Sequence, residues 1–165
     1  MTFAVLSWLF VMAVAIHNAE EAIWLPAWSA TAGRWRHSVG STEFRFAVTV
    51  LTVLAAGASA LANLQGKESL GAYLLCGYAL AMLFNVAFPH VLATLIMRRY
   101  APGTATAVLF NLPVTIALLR RALMDGYIDS KTFVWVGPVV VVTIVAVIPI
   151  LIGLGRAAFR PHEAH

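Results

Sequence analysis

The chain has 165 residues, of which 61% are hydrophobic and only 11% charged, where a soluble domain carries roughly a quarter charged. That composition excludes an ordinary soluble fold and points to an all-α integral membrane protein. The formal net charge is +4 and the pI about 9.7, but the basic residues fall in short clusters between apolar runs. They form no basic, aromatic-interleaved face for a nucleic acid and read as topology and headgroup anchors.

Five apolar segments follow one another, each near the roughly 20 residues that a bilayer requires, and together they predict a bundle of five transmembrane helices with short loops in a single domain, 1–165. The first runs over 2–28, with Trp24 and Trp28 as interfacial anchors and Pro26 helping to end it. Met1 to Ile16 lacks the basic start of a signal peptide, so it is kept as part of this span. A join carrying Arg34, Trp35, Arg36, His37 and Glu43 follows, with the histidine and glutamate placed at the solvated interface. The second span covers 44–64, and its Ala55 to Ala60 stretch is small enough to let another helix, or a second copy of the chain, approach closely. The third covers 70–97 and ends at Arg98-Arg99-Tyr100. The fourth, 101–119, begins at Ala101-Pro102-Gly103-Thr104, with proline in the first turn and Thr104 as a cap. The fifth is 133–154, rich in Val and Ile, followed by a frayed tail at 160–165. The single cysteine, Cys76, excludes an internal disulfide and reads as a packed small hydrophobe.

An odd number of spans puts the termini on opposite sides. Arg34, Arg36, Arg45, Arg98, Arg99, Arg156 and Arg160 lie on one side, against Lys67, Arg120, Arg121 and Lys131 on the other. The positive-inside bias then predicts an outside N-terminus and a cytoplasmic C-terminus.

Within the first span sits His17-Asn18-Ala19-Glu20-Glu21. A histidine and two carboxylates at that depth are costly unless paired, protonated or bound to a cation. Their i, i+3 and i, i+4 spacing predicts one shared helix face. At about 1.5 Å per residue, Glu20, Glu21 and His17 lie roughly 10 to 17 Å in from the cytoplasmic end, His90 roughly 10 Å, Asn85 roughly 18 Å and Asn111 roughly 15 Å. This shared slab predicts one buried polar site built by spans one, three and four. Pro89 frees a backbone carbonyl near Asn85, as in broken helices that line cavities.

His17, Glu20 and His90 form a metal-ligand set, with Glu21 as fourth ligand or general base, which suits Zn or Fe. An open position would activate water or polarise a carbonyl, and Asn85 and Asn111 would orient substrate or ligands. The expected activity is that of a membrane-embedded metal-dependent enzyme acting on a lipid-like or apolar substrate. A second reading is a metal-free acid–base isomerase or cyclase using Glu20 or Glu21 with His90, and a third a small proton- or cation-coupled transporter. The bland alternative is a polar network that only ties spans together. His162-Glu163-Ala164-His165 has the wrong spacing for a helical zinc motif, and no nucleotide-binding signature is present.

The chain resembles the HXXEE domain family of small multi-span membrane proteins. The likeness is carried by His17 to Glu21, by the aromatic end of the first span, by Asn85 to His90 and by the Arg99-Tyr100-Ala101-Pro102-Gly103-Thr104 join. It covers Ile16 to about Pro113, with no departure in the five motif positions and no matching polar residue in span five. The resemblance implies a multi-span membrane protein and marks the motif as the place to seek activity.

Overall fold

Every apolar run becomes a helix in the computed structural model, which describes residues 1–31 and 40–159. The helices are α1 (Phe3–Thr31), α2 (Ser41–Gln65), α3 (Leu70–Met97), α4 (Thr104–Met124) and α5 (Ser130–Ala158), each long and apolar enough to cross a membrane. No strand occurs among the described residues. At 29 residues, α1 is about 44 Å long at 1.5 Å per residue, well over the roughly 30 Å of a bilayer's hydrocarbon. The Arg34 to His37 join and the tail from Arg160 lie outside the described residues.

Several boundaries differ from expectation for identifiable reasons. Pro26 does not end α1, which continues to Thr31. A proline inside a helix orphans the carbonyl four residues back, and here the Arg45 side chain of α2 donates to that carbonyl, on Ala22, at 3.3 Å. Trp24 is exposed, as an anchor should be, but Trp28 turns inward against Leu25, Phe44, Val48 and Ala101. The fourth helix starts at Thr104, not Ala101, because Gly103 takes φ +91° and closes a turn first. Asp129 starts α5 earlier than expected by accepting from the Thr132 amide at 2.9 Å. Its carboxyl lies below the usual aspartate range, held there by that amide bond and by the Thr132 hydroxyl.

The α2–α3 hairpin brings two backbones into close contact. Gly66, at φ +78°, ends α2, and the Ser69 hydroxyl caps α3 by accepting from the Ala72 amide. A Cβ on Gly71 would stand 2.6 Å from the Ala62 backbone nitrogen, so only glycine lets the two backbones come this close. Ala55, Ser59 and Ala62 form the buried small-residue face of α2, and Tyr78 of α3 donates its hydroxyl to the Leu51 carbonyl at 2.9 Å. Around this hairpin α1 packs on α2 and α4, while α5 packs on α2 and α3. Glu43 of α2, expected to be solvated, lies 4.0 Å from Arg156 of α5. Cys76 is buried and free.

The buried face of α1 carries Phe3, Leu6, Phe10, Val14, His17, Leu25 and Trp28, the spacing of one helical stripe. His17 thus occupies a core position, between an apolar cluster that includes Phe10, Val14, Leu75 and Leu118 and a second formed by Leu25, Trp28, Phe44 and Val48. Opposite it, α3 is interrupted at Val86–Val91 by a π-helical turn, with Phe88 in extended conformation (φ −132°, ψ 122°) and a cis Phe88–Pro89 bond. The interruption expected from Pro89 is present, and it carries His90 into the interior.

Candidate functional site

Two α-helical positions and one on a broken helix converge. His17 and Glu21 stand one turn apart on α1, with His17 Nε2 3.8 Å from Glu21 Oε2. His90, presented by the π-turn of α3, places Nε2 3.4 Å from Glu21 Oε1. The two imidazoles meet edge to face, 4.8 Å between centroids. One donor atom from each of His17, Glu21 and His90 lies within 4.8 Å of the others. Donors around a tetrahedral zinc ion with bonds of about 2.1 Å sit about 3.4 Å apart, so side-chain adjustments below a bond length would bring these three around one cation. Both histidines are at most 1% exposed and the Glu21 side chain is 12% exposed, which leaves the carboxylate as the edge of the set nearest solvent or lipid.

Asn85 joins this group: its amide nitrogen is 3.1 Å from His17 Nε2. Glu20 does not. It turns to α4, where Oε1 accepts from the Gly103 amide at 2.9 Å and from the Tyr100 hydroxyl, and Oε2 accepts from the Thr106 hydroxyl at 2.7 Å and the Thr106 amide at 3.3 Å. Gly103 has no side chain with which to cap α4, and the Glu20 carboxylate supplies that function from another helix. Amides at a helix start lack intrahelical partners, and the helix dipole favours a negative charge there. Tyr100 closes the arrangement by accepting from the Ala105 amide at 3.1 Å. Burial, and then the bond to Glu20, push the Tyr100 phenol above the usual tyrosine range, so it remains a donor at neutral pH.

The expected sharing of one face by His17, Glu20 and Glu21 therefore divides in two. Successive helical residues are rotated by about 100°, so Glu20 and Glu21 fall on either side of His17 and meet different helices. Asn111 lies on the buried face of α4, in a second π-helical turn, but neither of its amide atoms has a hydrogen-bond partner among the described residues. It is therefore bonded to neither histidine nor either glutamate of the motif.

Several residues beyond the expected ligand and orienting set complete the site. Thr106 lies between the two glutamate environments, its hydroxyl 3.1 Å from His17 Nδ1. Gly103 forms the wall: a Cβ there would be 2.6 Å from His90 Cε1, 2.9 Å from His17 Cε1 and 3.0 Å from Glu21 Cγ. Thr94 and Thr104 stitch the α3–α4 turn, the Thr104 hydroxyl donating to the Ala101 carbonyl at 2.7 Å and lying 3.0 Å from Thr94 Oγ1. Asn18, inside the motif, instead ties α1 to α2 by donating to Thr52 Oγ1 at 2.8 Å and to the Val48 carbonyl at 3.2 Å. Beside Glu20 a groove of about 600 Å³ opens, lined by Trp24, Trp28, Arg99, Tyr100 and Pro102.

Comparison with known proteins bears on the same residues. A family model described as "Protein of unknown function with HXXEE motif" matches residues 8–118, a range that contains every residue of the site and excludes α5. The chain is also 38% identical over 147 residues to the uncharacterized protein YrkK of Bacillus subtilis (strain 168), covering 88% of this chain and 92% of the relative. No solved structure matches.

Proposed function

We propose, for a chain that belongs to the HXXEE-motif family, that it is a membrane-embedded metal-dependent enzyme acting on a lipid-like or apolar substrate. The observation that carries the reading is the buried convergence of His17, Glu21 and His90, from two helices, on one point. Two imidazoles and a carboxylate are a donor set for Zn or non-haem Fe that leaves coordination positions open. A cation there supplies Lewis acidity toward a substrate oxygen.

The protein's own groups divide the remaining work. Glu21, partly exposed, faces incoming substrate and can exchange a proton when it is not shared with the cation. Asn85 orients His17, and the Gly103 backbone closes over the histidine edges. The groove beside Glu20 offers a largely apolar surface, with Arg99 in its lining, on which a substrate could rest. Five apolar helices support a site within the bilayer, and the basic residues favour an outside N-terminus with the site in the cytoplasmic half.

The contact of His90 Nε2 with Glu21 at 3.4 Å also favours a second reading, a metal-free acid–base enzyme in which that pair moves a proton. Elemental analysis of protein purified without chelator separates the two. Stoichiometric Zn or Fe in the wild type, lost in His17→Ala, His90→Ala and Glu21→Ala, is the expected result. A wild type without stoichiometric metal overturns the metal reading and leaves the acid–base one.

A further inference from the structure

The Thr106 hydroxyl carries one proton and has three neighbours that could compete for it. Glu20 Oε2 is nearest at 2.7 Å, the Gly103 carbonyl is at 3.2 Å and His17 Nδ1 at 3.1 Å. Hydrogen bonds to a carboxylate are shorter and roughly twice as strong as neutral ones, so the proton points to Glu20. All four contacts of Glu20 come from donors, which matches a carboxylate serving only as acceptor. With its proton committed, Thr106 can offer His17 only a lone pair. His17 Nδ1 must then carry a hydrogen, and in a neutral ring Nε2 carries the lone pair. The far side of the ring agrees, because the Asn85 amide nitrogen, a donor, stands 3.1 Å from Nε2.

We infer that Glu20 and Thr106 are positioning residues that lock His17 in its Nδ1–H tautomer, through the chain Glu20 carboxylate, Thr106 hydroxyl, His17 Nδ1–H. The chain directs the Nε2 lone pair at the point where Glu21 and His90 converge. It gives the two adjacent glutamates separate tasks: Glu21 faces the centre, while Glu20 acts on the centre through Thr106 and at the same time caps α4. A partner on the second nitrogen of a metal-binding histidine fixes its ring and raises its basicity, and its loss costs about 10- to 100-fold in metal affinity. That consequence rests on the metal reading above, whereas the tautomer does not.

The test reads the tautomer directly. Nitrogen NMR of the full chain, labelled with ¹⁵N-histidine, stripped of metal and held at about pH 8, above the usual histidine range of about 6.5, distinguishes protonated from lone-pair ring nitrogens. The His17 signals are those missing from His17→Gln. The expected wild-type spectrum has a protonated Nδ1 and a lone-pair Nε2. Thr106→Ser, which keeps the hydroxyl, preserves that pattern. Thr106→Val, which keeps the shape and removes the acceptor, shifts His17 toward the Nε2–H form and weakens zinc binding, titrated with the zinc ion alone, about 10- to 100-fold.

A wild-type His17 that is Nε2–H or doubly protonated overturns the inference, and so does a Thr106→Val protein with unchanged tautomer. The wild-type spectrum decides even if Thr106→Val fails to fold. Correct tautomers in a protein that takes up no zinc would instead overturn the metal reading and leave the Glu20–Thr106–His17 chain standing.

Discussion

At the residue scale, the motif's two glutamates look alike in sequence and do different things in space. A spacing of three and of four both count as helical neighbours, yet Glu20 and Glu21 diverge by about 100° around the helix. Only the positions of α3 and α4 determine that Glu21 meets His90 and Glu20 meets Thr106. Gly103 is equally invisible beforehand, since a glycine after proline signals only a turn. In the folded chain it combines φ +91° with no space for a Cβ against either histidine or Glu21. Gly103→Ala is expected to cost about 1–2 kcal/mol from the left-handed backbone and about 1–3 kcal/mol more from overpacking. A lowered melting temperature in detergent would show it, and on the proposed metal reading lost metal content would accompany it. An alanine variant that melts and binds like the wild type would mean that the wall is not rigid.

At the element scale, the two prolines that break the expected helical pattern have opposite outcomes. Pro89 was legible as an interruption, because a proline beside a histidine and one turn after an asparagine within an apolar span has a reason to open the backbone; Val86–Val91 bears this out. Pro26 was not legible as a continuation, because the group that satisfies the orphaned Ala22 carbonyl is Arg45 of another helix. A double-mutant cycle tests that compensation. Arg45→Met is expected to destabilise the wild type by about 0.5–1 kcal/mol, the low end for a hydrogen bond because Arg45 is exposed. In a Pro26→Ala background the backbone amide restored at that position takes over the Ala22 carbonyl, so the same change should cost almost nothing. Equal costs in both backgrounds would assign Arg45 another role.

At the scale of the whole molecule, the basic residues predict an outside N-terminus, and that orientation is open to direct measurement. Cys76 is buried, so single cysteines placed in the loops report without a competing native thiol. Arg98→Cys is expected to react with an impermeant reagent only from the cytoplasmic side, and Lys67→Cys only from the outside; the reverse pattern would invert the topology and move the site to the outer half. The number, order and approximate limits of the five helices were determined by the sequence alone, since apolar runs of bilayer length separated by charged joins have few other solutions. So was the region where the polar side chains gather, because buried ionisable groups cannot be scattered through an apolar interior at random. Only the tertiary structure decided which carboxylate meets both histidines, that Thr106 and Gly103 stand beside them, and that Asn111 bonds to none of these residues. Those outcomes depend on the rotation and approach of whole helices, set by packing at contacts such as Gly71 against Ala62, and the spacing of residues along one helix does not contain them.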